Sequence, residues 1–271
     1  MTIEEEKKRY SEEHKDDNIF CVGSDINTFR NKKIYRILRY DRFKDFIKDE
    51  ELVLFRPEKW DDPYENFFLK NDAINKDGKI VSLEKVSKDW YGNCWTLKEE
   101  SDAMWRIYAK EEKNGIRITT TVDKLFNAIY NVNNYPSAFL QFFIGEVQYG
   151  ELSDINKILE NTFQDVASSG DNKGFAKTFL IKREAFSHEK EVRILAHKLQ
   201  EDYEDNNEQD LWKFKIKIKD ILIDDICLDP RFTKNDVEKY TNEIINMGIP
   251  NNIKVKQSDL YRYDGAPIKL Y

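Results

Sequence analysis

The stretch 179–197, reading FLIKREAFSHEKEVRILAH, constrains this chain more than any other. Val192, Ile194 and Ala196 recur at every second position, the period of a half-buried strand. Extended backbone sends alternate side chains to opposite faces, so Glu189, Glu191 and Arg193 are expected to share the other face. Two carboxylates two residues apart on a strand lie ~7 Å apart between Cα atoms. That is near enough to perturb each other's titration or to grip one ligand together. Arg193, next along the same face, can screen or orient them. A solvated strand face with an ion pair is the plain alternative.

The chain has 271 residues, enough for one large domain or two small ones. With 17 Phe, 14 Tyr and 5 Trp it carries the aromatic content of a folded chain. It contains no run of 18 apolar residues, so no membrane span is expected. The start, Met1, Thr2, Ile3, Glu4, Glu5 and Glu6, lacks the basic residues and apolar core of a signal peptide, which points to a cytoplasmic protein. Cys21, Cys94 and Cys227 are far apart and unpaired in spacing, and the three histidines show no ligand spacing, so neither a disulfide framework nor a metal site is expected. A net charge of −7 argues against broad non-specific nucleic-acid binding, while leaving room for a local basic patch. Lys213, Lys215, Lys217 and Lys219 alternate with Trp212, Phe214, Ile216 and Ile218, and read as the outer face of a strand.

Residues 1–30 are expected to be a charged N-terminal arm or helix, ahead of a single domain over 31–271. Strand-like residues over 33–40, helical spacing of Phe43, Phe46 and Ile47 over 41–50, and an apolar strand over 52–55 make a compact opening unit. Trp60, Asp61, Asp62, Pro63, Tyr64 and Glu65 then form a turn, because the residue before proline avoids the helical region. Such a loop, anchored by aromatics, supports a site more readily than it performs chemistry. The pattern predicts helices over 83–91, 101–113, 123–131, 154–168, 175–183 and 235–247. It predicts strands over 93–97, 116–122, 141–149 with Gly145 as a bulge, 189–196, 211–219, 222–228 and 253–256. The segment 200–210 is acidic and reads as a loop or insertion. Strands and helices mix without regular β-α-β alternation, which favours an α+β domain.

Taken together, several of these stretches resemble the bacterial domain of unknown function 2971 family. They are the opening strand with Ile34, Tyr35 and Arg36; the loop from Trp60 to Glu65; the strand with Cys94, Trp95 and Thr96; the run Met104, Trp105, Arg106, Ile107, Tyr108 and Ala109; Gly115 before a strand; and Lys182 followed by Phe186, Glu189, Glu191 and Arg193. The departures are Asp61 for asparagine, Thr96 for serine and Phe186 for tryptophan. The order of elements also looks like the ADP-ribosyltransferase arrangement, a single α+β domain of mainly antiparallel strands split around a NAD cleft and packed with helices.

That resemblance implies site residues. Glu191, with Glu189 as its partner, would be catalytic, the second glutamate of the E-x-E bonding the nicotinamide ribose. Arg36, Thr96 (or Thr119), Trp105, Tyr108 and Arg193 would hold NAD as substrate, with Arg36 on the pyrophosphate and Trp105 or Tyr108 stacked on the nicotinamide. Trp60, Asp62 and Glu65 would form a supporting loop, paired to Arg36 or Arg193. It further implies a toxin or anti-phage effector that modifies a macromolecular acceptor, protein or nucleic acid, with a partner protein of the same defence system. Two rivals stand beside it: a non-enzymatic sensor or regulatory subunit, and a metal-dependent nuclease in which Asp61, Asp62, Glu65, Glu189 and Glu191 converge on Mg²⁺.

Overall fold

Runs of β-branched and aromatic residues, broken by glycine, proline and charged turns, dictate most strands of this chain. They are β1 (Ile19–Val22), β2 (Lys33–Arg39), β3 (Glu51–Phe55), β4 (Asp72–Ile74), β5 (Ile80–Ser82), β6 (Trp90–Thr96), β7 (Gly115–Thr121), β8 (Leu140–Glu146), β9 (Gln148–Gly150), β10 (Ile181–Arg183), β11 (Glu191–Lys198), β12 (Leu211–Lys215), β13 (Asp225–Leu228) and β14 (Lys254–Gln257). The structure is a computed structural model. It describes residues 5, 9, 13 and 19–265, apart from 24, 61, 63, 66–71, 75, 76, 83–86, 110–113, 131–139, 156, 158–171, 199–209, 219–221 and 264.

Among the described residues, ten strands join one sheet in the order β1-β8-β11-β6-β2-β7-β13-β14, with β3 pairing both β6 and β12. Pairing is mainly antiparallel; β1–β8 and β13–β14 are parallel. The fold is therefore α+β, with helices packed on a largely antiparallel sheet. The ladder is uneven. β11 meets β6 through seven residue pairs, and β2 meets β7 through seven. β2 and β6 meet through one pair, Tyr35 with Thr96. The sheet is thus two well-knit halves joined at a single bridge.

The core repeats that division. On one face a continuous cluster runs through Ile34, Phe43, Trp95, Ile118, Phe126, Phe142, Ile194 and Ile226, covered by the helices Tyr40–Asp49, Val122–Ile129 and Lys234–Asn246. The last of these opens on a capping box between Thr233 and Asp236. On the other face the packing separates into two. Trp90, Phe143, Phe179, Leu180 and Leu195 cluster on the β11 half. Ile37, Met104, Trp105 and Cys227 cluster on the β2 half.

Several expected elements differ. Ile19–Val22, inside the stretch read as an arm or helix, is a strand, because four apolar residues follow the charged run and pair with β8. The segment read as a helix over 175–183 divides into the helix Lys173–Thr178 and strand β10. β6 begins at Trp90, so the end of the helix expected over 83–91 is already strand. Gly145 is no bulge: β8 keeps register with β11 through it. The strand expected over 211–219 stops at Lys215. Most of the helix expected over 154–168 and most of the loop expected over 200–210 lie outside the described residues.

Candidate active-site cleft

A cavity of about 620 Å³ opens where the two halves of the sheet part. Its walls come from β2, β6, the helix Asp102–Ala109, the loop after β3, and the turn between β10 and β11. Glu191 is the first residue of β11 and pairs across β6 with Thr96, which is itself the bridge to Tyr35. Glu189 is not on the strand. It ends a 3₁₀ turn, Glu184–Glu189, and Lys190 after it takes a left-handed conformation with φ 46°. Alternation therefore does not put Glu189 beside Glu191; the fold does so by another route.

That route is a buried ionic cluster. Arg193, on β11, is fully buried. Its Nε and Nη2 donate to the two oxygens of Glu191 at 2.9 Å each, Nη2 also donates to Glu65 at 2.7 Å, and Nη1 donates to the Phe179 carbonyl at 2.7 Å. The Trp60 ring covers the guanidinium at 4.2 Å. Lys182, on β10, reaches Glu65 at 2.9 Å, Glu189 at 2.6 Å and Glu191 at 3.3 Å. Burying charges is tolerable only when they are paired and hydrogen-bonded in this way. Burial pushes the Glu191 carboxyl up, but Arg193, with its charge and its hydrogen bonds, and Lys182 outweigh it and hold it at about 2. Burial pushes Lys182 down, and Glu191 and Glu65 more than reverse that. Three carboxylates face two cations, so the cluster carries one surplus negative charge.

Glu65 pairs with Arg193, while Asp62 pairs with Arg183 at 2.9 Å rather than with Arg36 or Arg193. Asp61 and Pro63 lie outside the described residues. Two glycines make the packing feasible. A Cβ on Gly92 would lie 2.7 Å from the Trp60 ring, and one on Gly145, the strand neighbour of Arg193, 2.5 Å from Leu180.

On the opposite margin stands Arg36. On β2 it alternates with Tyr35 and Ile37, and its guanidinium reaches Asn93 Oδ1 at 3.3 Å and lies over the Trp95 ring at 5.9 Å. It lines the cleft together with Glu189 and Glu191. Burial disfavours its charged form, and among the described residues no carboxylate pairs with it. Tyr108 also lines the cleft, its hydroxyl 3.5 Å from Glu189 Oε1. Burial first, then the Glu189 and Glu191 charges, push that phenol up, so it stays a donor. Thr96 lines the cleft, but its hydroxyl donates to the Glu189 carbonyl and accepts from the Lys98 N–H. It fixes the turn that carries Glu189.

Three expected contacts are corrected. Trp105 cannot stack on a ligand: it is fully buried, its indole N–H donates to Glu100, and Gly115 backs onto its ring. Arg193 does not line the cleft, and its hydrogen bonds all end inside the protein, two of them on Glu191. Thr119 is buried on β7 and bonds Asp225, away from the cleft. Of the carboxylates expected to converge on Mg²⁺, Asp62, Glu65, Glu189 and Glu191 are instead held by Lys182, Arg183 and Arg193. Among the described residues no group of His, Cys, Asp and Glu is arranged to hold a metal ion. Sequence reasoning left out Lys182, Tyr149 and Cys94 as site members. Tyr149 accepts the Glu191 backbone N–H at 2.8 Å. Burial, and then the Glu191 charge, push the Cys94 thiol up and keep it protonated beside that carboxylate.

Residues 104–194 match the family model described as Protein of unknown function (DUF2971). That span holds the Met104–Ala109 helix stretch and the Lys182, Glu189, Glu191 and Arg193 cluster. Among solved structures the chain is similar to Thermus sp. 2.9 DarT in complex with NAD+, at 12% identity and TM-score 0.38, over 86% of this chain and 98% of that one. It is similar to the same protein in complex with ADP-ribosylated ssDNA, at 12% identity and TM-score 0.38, over 86% and 97%. No curated protein matches.

Proposed function

We propose that the cleft binds NAD as substrate and transfers its ADP-ribose to a macromolecular acceptor. The observation that carries this reading is the charge layout of one cavity. On one margin sits an arginine with no acidic partner among the described residues, and on the other a carboxylate cluster with one surplus negative charge. NAD has the matching layout, with an anionic pyrophosphate and a cationic nicotinamide. Arg36 would take the phosphate oxygens, and Glu189 and Glu191 would face the nicotinamide ribose.

The chemistry follows from that placement. The bond between ribose C1′ and the nicotinamide nitrogen breaks, and its electron pair stays with nicotinamide, which leaves neutral. Positive charge moves onto the ribose ring, where a fixed carboxylate stabilises it more than the ground state. An acceptor nucleophile then bonds to C1′ and releases its proton to solvent. Tyr108, exposed at the mouth, lies where a nicotinamide ring could stack. The acceptor is a protein or a nucleic acid, and the role of a toxin or anti-phage effector with a dedicated partner is the biological setting this chemistry suits.

The test is nicotinamide release and NAD binding by calorimetry. Wild type should bind NAD and release nicotinamide, faster with single-stranded DNA or a protein extract as acceptor. Arg36→Ala should weaken NAD binding by about tenfold to a hundredfold, consistent with ~1.5–3 kcal/mol for a charged hydrogen bond. No NAD binding and no release by wild type with any acceptor would leave the non-enzymatic sensor as the better account.

A further inference from the structure

The three carboxylates of the cleft differ in what each has left to offer. Glu191 has both oxygens engaged by Arg193, and one of them also by Lys182. Its side chain is 7% exposed. Glu65 shares one oxygen between Arg193 and Lys182 and is 6% exposed. Glu189 differs. Lys182 holds its Oε2 at 2.6 Å, while among the described residues Oε1 meets only the Tyr108 hydroxyl, at 3.5 Å. Its side chain is 13% exposed, the most open of the three. Its backbone is fixed as well, because Thr96 bonds the Glu189 carbonyl and the Leu97 N–H donates to the Lys190 carbonyl.

We infer that Glu189 is the carboxylate this site presents to its ligand, with Lys182 as the positioning residue that aims it and Glu191 as a buried anchor. A reacting cation needs an anion with an unspent lone pair facing it, and Glu189 Oε1 supplies one. A carboxylate already bidentate to a buried arginine has its charge largely neutralised before any ligand arrives. Lys182 can aim Glu189 because it ties that carboxylate to Glu191 and Glu65, which leaves the presented oxygen one orientation. The inference rests on the reading of the cleft as a dinucleotide site and changes which glutamate touches the ribose.

Two measurements test it. The first needs no turnover: carbodiimide with glycine ethyl ester labels accessible carboxylates, and mass spectrometry locates the label. Glu189 should be modified in the folded protein, with Glu65 and Glu191 untouched. Labelling of Glu191 as fast as Glu189 overturns the assignment. Failure of NAD to slow Glu189 labelling counts against the dinucleotide reading while leaving the assignment in place. The second uses nicotinamide release. Glu189→Gln should keep its melting temperature and lose ~10²–10³-fold in kcat. Lys182→Met should lose ~10²-fold in kcat with the KM for NAD little changed, as misplacement of a reacting group does, and Lys182→Arg should recover most of it. A Glu189→Gln enzyme that turns over at the wild-type rate, or a Lys182→Met loss that appears only as lost folded protein, refutes the proposal.

Discussion

Four hydrogen bonds hold Arg193, and each ends on a protein acceptor. Removing one member of such a buried pair leaves the other charge stranded, which costs ~3–5 kcal/mol. Glu191→Gln should therefore melt well below wild type, in contrast to Glu189→Gln. A shared melting temperature for the two variants would deny Glu191 its anchoring role. The same pairing sets a pH dependence. The folded Glu191 carboxyl is depressed from 4.5 to about 2. Its stabilisation is then fully present above about pH 4.5 and is lost as pH falls toward 2. An acid titration of stability should show a shallower loss in that window for Glu191→Gln than for wild type. Trp60 belongs to the same cluster, stacked over Arg193 and edge-on to Phe179. Trp60→Ala should cost ~3 kcal/mol, the lower end for a large aromatic because the ring is only partly buried. An unchanged denaturant midpoint would mean that the ring contributes nothing to the cluster.

At the scale of elements, the period-2 pattern around Val192, Ile194 and Ala196 made β11 legible, and with it the shared face of Glu191 and Arg193. The pattern extends back to Glu189 in sequence, but the backbone does not follow. Lys190 turns left-handed, a conformation no hydrophobic spacing reports. The helix Asp102–Ala109 shows the same limit. Its Met104 and Trp105 are buried and Tyr108 is exposed, a difference that the run of residues alone does not report. Lys182 was visible as a residue of the family pattern, yet its three carboxylate partners come from 117 residues upstream, from the following turn and from the start of β11, which only tertiary folding brings together. Gly92 and Gly145 carry a testable consequence of this packing. Gly92→Ala drives its Cβ into the Trp60 ring, which can tilt, and Gly145→Ala meets the Val22 carbonyl at 2.9 Å, which cannot. Overpacking of this kind costs ~1–3 kcal/mol. Gly145→Ala should lose more stability than Gly92→Ala, whereas Gly92→Ala should disturb the cleft more. Equal melting temperatures would show that β1 and β8 yield freely.

For the whole molecule, the sheet's division at Tyr35 and Thr96 matters most. An α+β class was readable from the mixed order of strands and helices. The place of the cleft was not readable, because strand pairing across 61 residues leaves no local mark. Each half is knit by long ladders, β11 with β6 and β8, and β2 with β7. The line between them rests on one residue pair, the continuous core beneath, and contacts such as Tyr108 with Glu189. Hydrogen-bonded backbone is protected from exchange in proportion to the cost of opening it. Amides of β2 and β6 that border the gap should therefore exchange faster than those of β7 and β11. A ligand spanning the cleft touches both margins at once, so it should slow exchange in three places together: around Arg36, around Thr96, and across the turn that ends at Glu189. Hydrogen exchange followed by mass spectrometry, with and without NAD, separates the outcomes. Protection on both margins is the signature of a dinucleotide bridging the halves. Protection limited to the β11 side would show that the ligand never reaches Arg36, and would remove that arginine from the site.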